Sequence, residues 1–475
     1  MVFSSLTFLF FFLPILYILI FASRNKRWRN GVLIGMSLLF YGWGEPVWIL
    51  AMLFSTAVNF VCSRMIASTE DIRKRRQYLI VGVVTSVCFL FYFKYSAFLL
   101  NSVTALLGID FRIPTPVLPI GISFYTFQIL TYTVDVYRGK SKALNNPMKL
   151  LLYISCFPQL IAGPIVQYSD VADQLDEREI CADDFSDGMK RFSFGLAKKV
   201  MLANICGAIL EELNLAGTGV QMSVVGAWLA TFMYTLQIYF DFSAYSDMAI
   251  GLGKALGFTY KENFNYPYVS ASITEFWRRW HISLGSFFRD YVYIPMGGNR
   301  CGKTRTAFNM LVVWSLTGLW HGASWNFVLW GAYYGLLLLT ERFVLNRILD
   351  RIPSMLRRLG TFIVVMIGWV LFYYTDLSAV MEHLRAMAGI PTLGIAVPLM
   401  DPVTVAVLRK YTVLPFVAFL LCLPIVPRVR TKLGSEEGTS IWWRYAESVL
   451  AVTMFAASVL FLVGQTYNPF IYFRF

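Results

Sequence analysis

Charge is scarce in this chain. Asp, Glu, Lys and Arg make up 15% of its 475 residues and hydrophobic residues 57%, where a soluble domain is about 25% charged and about 45–50% apolar. A water-soluble fold of this composition would expose far more apolar surface than it could bury, so a soluble domain is excluded, as are disordered, collagenous and coiled-coil chains. Histidine is scarcer still, at three residues. No H-E-x-x-H pair occurs, a three-histidine site would have to recruit every histidine in the chain, and no acidic or cysteine companions point to a metal, so no metal site is expected. The cysteines (Cys62, Cys88, Cys156, Cys181, Cys206, Cys301, Cys422) number seven. That odd count, without any C-x-x-C spacing, argues against both a disulfide framework and a thiolate metal centre. There is no G-x-S-x-G elbow for a serine hydrolase, no internal repeat and no low-complexity linker.

Aromatic and aliphatic residues are abundant instead, with 40 Phe, 26 Tyr and 13 Trp. About 20 apolar residues cross a bilayer as a helix, the form in which a backbone satisfies its own hydrogen bonds in lipid. Candidate spans lie near residues 3–22, 31–43, 46–62, 78–100, 119–137, 192–211, 222–240, 308–340 (long enough to be broken in two), 361–375, 411–427 and 445–464. An all-α polytopic membrane protein with about eleven transmembrane helices is therefore expected. It reads as a single membrane domain over 1–475, with N-terminal helices over 1–145, a core over 146–345 and C-terminal helices over 346–475. The first run lacks the basic n-region, the short apolar core and the small-x-small site of a cleaved signal, so it reads as a retained span.

The formal charge of +13 would raise nucleic acid as a partner in a soluble protein, so the placement of the basic residues decides. They sit in short clusters beside apolar runs: Arg24, Lys26, Arg27 and Arg29, then Arg73 to Arg76, then Arg342, Arg347, Arg351, Arg357 and Arg358. That is positive-inside patterning, and no nucleic-acid partner is expected. The first two clusters read as cytoplasmic, which places the N-terminus outside and makes Gly42-Trp43-Gly44-Glu45-Pro46 an outer turn.

Several stretches are not simple crossings. Residues 150–166 carry Pro158, Gly163 and Pro164 inside an apolar run and read as a re-entrant or broken segment covered by protein. The acids from Asp170 to Asp187 read as a solvated loop or surface helix. Gly297-Gly298-Asn299-Arg300-Cys301-Gly302-Lys303-Thr304 matches the pattern of a phosphate-binding loop, but that chemistry needs a strand before it and a soluble helix after it, and here an apolar span follows. Gly251-Leu252-Gly253-Lys254-Ala255-Leu256-Gly257 has the wrong spacing for a dinucleotide fingerprint and reads as a helix-packing or hinge segment.

The chemistry-bearing residues are few. His383, in Met381-Glu382-His383-Leu384-Arg385, reads as a surface residue. His321 lies in an apolar run at membrane depth, where ionisable groups are expensive and face cavities or pathways. Gly318 and Gly322 would let a helix bend there or another backbone approach. Phe276, Arg279/Trp280 and Ser283/Leu284 have the spacing of one amphipathic helix carrying His281, either as an interfacial anchor or as part of a site. A neutral imidazole in a dry cavity can take a proton from a hydroxyl and return it to a leaving group. Asp241 and Asp247 are expected to hold helices together through hydrogen bonds.

The motifs Phe157-Pro158-Gln159-Leu160-Ile161-Ala162-Gly163-Pro164, Tyr239-Phe240-Asp241-Phe242-Ser243, Phe276-Trp277-Arg278-Arg279-Trp280-His281-Ile282-Ser283-Leu284, Tyr293-Ile294-Pro295-Met296-Gly297-Gly298-Asn299-Arg300 and Leu319-Trp320-His321-Gly322-Ala323-Ser324-Trp325-Asn326 carry a resemblance. So do the ends, Met1-Val2-Phe3-Ser4-Ser5 and Phe470-Ile471-Tyr472-Phe473-Arg474-Phe475. Together they resemble the membrane-bound O-acyltransferase (MBOAT) superfamily, and within it the branch holding the membrane subunit of alginate O-acetyltransferase. The resemblance implies helices and re-entrant segments around a central funnel or tunnel. His321 matches the family's catalytic histidine and His281 its second, 40 residues upstream, with Trp320, Asn326, Asp241, Arg278 and Arg279 as supporting or substrate-path residues. It further implies acetyl-coenzyme A as acyl donor, with no permanently bound cofactor. A polysaccharide acceptor, membrane lipid and an extracytoplasmic serine-hydrolase-like acetyltransferase are the implied partners, and a bacterial cytoplasmic membrane is the implied location. Lys303 and Arg305 are candidates to meet the coenzyme's phosphates. D-alanyl transfer to teichoic acid, and a non-enzymatic polysaccharide exporter or scaffold, are the alternatives.

Overall fold

Apolar runs in a chain this poor in charge fold into helices, because a helix satisfies every backbone N–H and C=O without water. The computed structural model describes residues 1–109, 111, 113–161, 163–214, 222–391, 396–432, 441–464 and 470–471, and within them there is no strand. Ala162 and Tyr472 to Phe475, parts of two motifs quoted above, and the side chain of Arg347 lie outside the described residues. Among the described residues six helices are long and apolar enough to cross a membrane: Ile49–Ser68, Ile72–Leu106, Ala182–Leu213, Trp325–Leu345, Ser354–Tyr373 and Trp443–Gly464. A seventh is Pro402–Lys410 with Leu414–Leu421, if that pair, bent by 66°, is one span. The chain is a multi-pass membrane protein. The other expected spans are helices too, but shorter or more polar, such as Lys26–Gly42 and Ile122–Tyr137. The 308–340 run breaks as expected, into Gly302–His321 and Trp325–Thr340.

Two compact units form, Met1–Ser193 with Tyr245–Glu262 and Phe194–Ala244 with Asn263–Phe475. In the first, Phe3 stacks on Tyr245 with ring centroids 4.6 Å apart, and Phe8, Phe12, Phe40 and Phe157 complete an aromatic core. The 150–166 stretch is broken and buried, as its prolines predict: Pro147–Ser155 is helical, Phe157–Leu160 adds one turn, and residues 163–166 follow without regular structure. The Tyr153 hydroxyl donates to the Val166 carbonyl at 2.7 Å, which replaces a backbone bond the break removes. The acidic run forms two short helical turns, Tyr168–Val171 and Gln174–Glu177, and then the start of the long Ala182–Leu213 helix, with carboxylates meeting lysines, among them Asp176 with Lys149 at 2.6 Å and Asp187 with Lys254 at 3.0 Å. Gly251 is a packing residue: a Cβ on it would lie 2.5 Å from the Gly188 carbonyl oxygen of the facing helix.

The second unit is built around buried tryptophans, with Trp330 and Trp369 fully enclosed. Its polar crossings are paired. Lys199, 3% exposed, meets Asp241, 1% exposed, at 2.5 Å, and Asp241 also accepts the Ile471 N–H at 2.8 Å. Asp241 thus holds helices together as expected, with lysine as its partner. Asp247 does the same for the first unit through Arg191 at 2.8 Å. Lys199 and Glu341 lie in widened π-helical turns, Lys198–Ala203 and Glu341–Leu345. Such turns cluster where a helix must re-aim a side chain.

Candidate active site

Sequence spacing predicts one amphipathic helix through His281; the structure makes two, Ile273–Arg279 and Ile282–Phe288. The first is capped twice. Ser272 Oγ accepts from Glu275 N–H at 3.1 Å, and the Glu341 carboxylate accepts from the Ile273 and Thr274 N–H groups at 2.7 and 3.1 Å. At the break, His281 takes φ 46°, a left-handed conformation that a non-glycine residue holds only when its surroundings impose it. It is buried among core aromatics and is therefore no headgroup-depth anchor.

Asn263, fully buried, imposes that conformation. Its carbonyl accepts from Ile282 N–H at 3.0 Å. Its Oδ1 accepts from Ser283 N–H at 3.2 Å and Ser283 Oγ at 2.9 Å, and lies 3.1 Å from His281 Nδ1. A peptide N–H can only donate, so the amide atom facing Ser283 is the oxygen, and His281 Nδ1 must carry the proton. The ring's lone pair is then on Nε2. Burial pushes the His281 pKa down to about 3, and the imidazole is neutral at physiological pH.

His321 is the last residue of Gly302–His321. The chain turns at Gly322 and re-enters as Trp325–Thr340, and the two helices pack closer than any side chain at the crossing would allow. A Cβ on Gly318 would sit 2.4 Å from the Phe327 carbonyl oxygen, and one on Gly322 2.2 Å from the Phe327 ring. Both roles expected of these glycines, a bend and a close approach, are present.

Aromatic rings enclose the pair of histidines. The His321 ring centroid is 5.1 Å from that of Trp330 and 5.0 Å from that of Phe372. Trp320 stands 5.0 Å from His321 and 5.8 Å from His281, and Phe242 meets His281 edge-on at 4.6 Å. His281 and His321 line one cavity of about 280 Å³, whose other walls include Trp277, Trp314, Arg289 and Arg342. Its walls are mainly aromatic and aliphatic, with the exposed Arg289 and Arg342 among the lining residues.

None of the remaining expected residues lines this cavity. Asn326 accepts from Ser324 Oγ and donates to the Leu371 carbonyl at 3.3 Å, tying one helix start to another helix. Arg279 forms an ion pair with Glu275 at 2.9 Å and donates to the Asn265 carbonyl at 3.1 Å, and Arg278 is exposed. Lys303 and Arg305 are exposed; the cations in the cavity wall are Arg289 and Arg342. His383 corrects the expectation of a surface residue. It is buried, with Thr231 Oγ1 2.8 Å from Nε2 and the Tyr374 hydroxyl 2.9 Å from Nδ1, because its amphipathic helix turns the histidine inward. The glycine loop at 297 is preceded by the helical turn Arg289–Tyr293 and by no strand, so the phosphate-loop reading fails on structure as well. Sequence reading missed Asn263, Arg289 and Arg342. Arg342 was visible only as one charge in a cluster, and nothing in Glu262-Asn263-Phe264 announces a histidine partner.

Among the described residues the protein is all-helical, and two histidines line one of its cavities. Its family is specific. The model for MBOAT, the membrane-bound O-acyltransferase family, matches residues 141–381, and the chain belongs to that family. It is 38% identical to the probable alginate O-acetylase AlgI of Azotobacter vinelandii, over 100% of both chains. It is also similar to the peptidoglycan O-acetyltransferase of Helicobacter pylori, at 29% identity over 100% of this chain and 98% of that one. The teichoic acid D-alanyltransferase of Bacillus subtilis is 29% identical over 47% of this chain and 59% of its own. The protein is an O-acyltransferase.

Proposed function

We propose that this protein transfers an acetyl group from acetyl-coenzyme A, made in the cytoplasm, to hydroxyl groups of an exported or cell-surface polysaccharide. The observation that carries the reading is the single apolar cavity shared by His281 and His321. His321 takes the proton of the acceptor hydroxyl as its oxygen attacks the thioester carbonyl; the carbon–sulfur bond breaks, and the same proton passes to the departing thiolate. Its position at a helix C-terminus sets the negative end of the helix dipole beside the imidazolium formed between those steps. His281, neutral and with its lone pair at Nε2, orients the incoming hydroxyl as a hydrogen-bond acceptor. A neutral acceptor does not stabilise negative charge at the thioester oxygen, and that argues for the orienting role over an electrostatic one. Arg289 and Arg342 meet the donor's phosphates.

The site lies within a fold of about eleven membrane helices around a funnel, in the cytoplasmic membrane of a bacterium. An extracytoplasmic serine-hydrolase-like partner, which the family resemblance implies, completes delivery: its serine hydroxyl is the acceptor at His321, and it passes the acetyl group on to a polymer hydroxyl. Full-length similarity to acetyl-transferring relatives, against about half-length similarity to a D-alanyl-transferring one, favours acetate as the group moved. The test is ester acetate released by mild alkali from purified surface polysaccharide, compared among cells with the intact protein, a deletion and His321→Ala. Acetate is expected to vanish in both mutants while the variant protein remains in the membrane. Unchanged acetate would overturn the proposal, and D-alanine ester analysis would then decide between the teichoic acid reading and a non-enzymatic exporter or scaffold.

A further inference from the structure

The first unit holds a cavity of about 410 Å³ that the acyl-transfer reading does not use. Arg24, Lys26, Arg29 and Arg178 line it, with Asn30, and the carboxylates in its wall are Asp176 and Glu179. Asp176 is already engaged by Lys149 at 2.6 Å. Among the described residues none of the four cations forms an ion pair. Two of them are held in place before any ligand arrives. Arg178 donates to Asn30 Oδ1 at 2.5 Å and lies over the Phe258 ring at 4.4 Å, while Arg29 Nε donates to the Ser23 carbonyl at 2.9 Å, which leaves its two terminal amino groups for another acceptor. Burial, and then the neighbouring Arg29 charge, both disfavour the Arg178 cation. An anion between the two guanidinium groups would relieve both effects.

Planar guanidinium forks with a nearby ammonium suit a phosphate group better than a lone carboxylate. The helix leading into Arg24 presents Ile18, 70% exposed, and Phe21, 50% exposed, to the surroundings. The basic cluster is on the face that the positive-inside bias assigns to the cytoplasm. We infer that Arg24, Lys26, Arg29 and Arg178 form a binding site for a phosphate group on the cytoplasmic side of the first unit, distinct from the histidine cavity. The phosphate is borne either by an anionic lipid headgroup, whose chains would lie along Phe8–Phe21, or by a soluble phosphate compound.

The full-length protein in neutral detergent tests this through ligand-induced thermal stabilisation and native mass spectrometry. The probes are dioctanoyl phosphatidylglycerol, dioctanoyl phosphatidylcholine, inorganic phosphate and coenzyme A. Arg24→Gln with Lys26→Gln removes two exposed charges and no bond between described residues, and Arg29→Gln with Arg178→Gln removes the fixed pair. Phosphatidylglycerol is expected to bind and stabilise the wild type where phosphatidylcholine does not, and to bind about tenfold more weakly to either double variant. The same loss seen instead with phosphate or coenzyme A would support the site with a soluble ligand. The proposal fails if none of the anionic probes binds, or if the Arg24/Lys26 variant, folded like the wild type, binds them all as tightly.

Discussion

At the scale of single residues, the site depends on one amide. Asn263 holds His281 in a left-handed turn that costs on the order of 1–2 kcal/mol for a residue with a Cβ, and the same Oδ1 settles which ring nitrogen carries the proton. Replacing the amide by a carboxylate keeps both functions but changes the charge. In Asn263→Asp the new anion favours imidazolium, so the His281 pKa rises from about 3. Below its pKa the ring can no longer accept a hydrogen bond, and the acid limb of acetyl transfer should therefore move to higher pH while activity near pH 8 is retained. Rates measured in reconstituted vesicles between pH 4 and 8 check this, and superimposable profiles would remove Asn263 from the site. Asn263→Leu, which loses the acceptor altogether, should lower transfer at every pH. Protonation of the buried ring also bears on stability: the unfolded state binds the proton more readily than the folded one, so stability falls as pH drops below about 6.5.

At the scale of elements, the placement of His321 rests on how closely two helices cross. The Trp325–Thr340 helix reaches the His321 end of its neighbour because Gly318 and Gly322 carry no side chain. Gly322→Ala places a methyl 2.2 Å from the Phe327 ring, whose edge also faces Phe372 at 5.0 Å. Overpacking of this kind costs about 1–3 kcal/mol, and here it also displaces the histidine. The expected result is a lower unfolding temperature in detergent together with loss of polymer acetate. Gly360→Ala, where an added Cβ meets nothing within 4 Å, is the matched control and should be neutral or slightly stabilising, since alanine is the better helix former. Equal behaviour of the two variants would show that the crossing has slack.

At the scale of the whole molecule, a buried charge is held by a counter-ion or by several hydrogen-bond donors, as Asp241 is by Lys199 and Glu341 by two backbone N–H groups. Lys199→Met leaves Asp241 buried without its counter-ion, a change that costs about 3–5 kcal/mol where the remaining charge cannot reach water. Lys199→Met with Asp241→Asn keeps an acceptor for the Ile471 N–H and removes the stranded charge, so it should recover most of the loss. Amounts of protein in the membrane and thermal aggregation midpoints compare the variants. A double variant no better than the single one would mean that Asp241 is needed as an anion for something other than the pair.

The membrane class was legible in the sequence, because scarcity of charge and apolar runs of bilayer length are local properties of the chain. So were the break between 308 and 340, the broken 150–166 segment and the packing roles of Gly251, Gly318 and Gly322, since proline and glycine act on their own backbone. His281 and His321 could be singled out because ionisable groups are rare among so many apolar ones, and their motifs carried the family resemblance. What joined them was tertiary. Whether Arg289 and Arg342 or Lys303 and Arg305 face the cavity depends on a helix's rotation about its axis, which neighbouring helices set. The inward turn of His383 was hidden for the same reason. The break at His281 defeats helical periodicity because Asn263, 18 residues away in sequence, supplies hydrogen bonds that outweigh local preference. Composition and local backbone rules determined the kind of protein this is; the protonation of His281, and the meeting of the two histidines at one cavity, were decided by contacts that only the folded chain brings together.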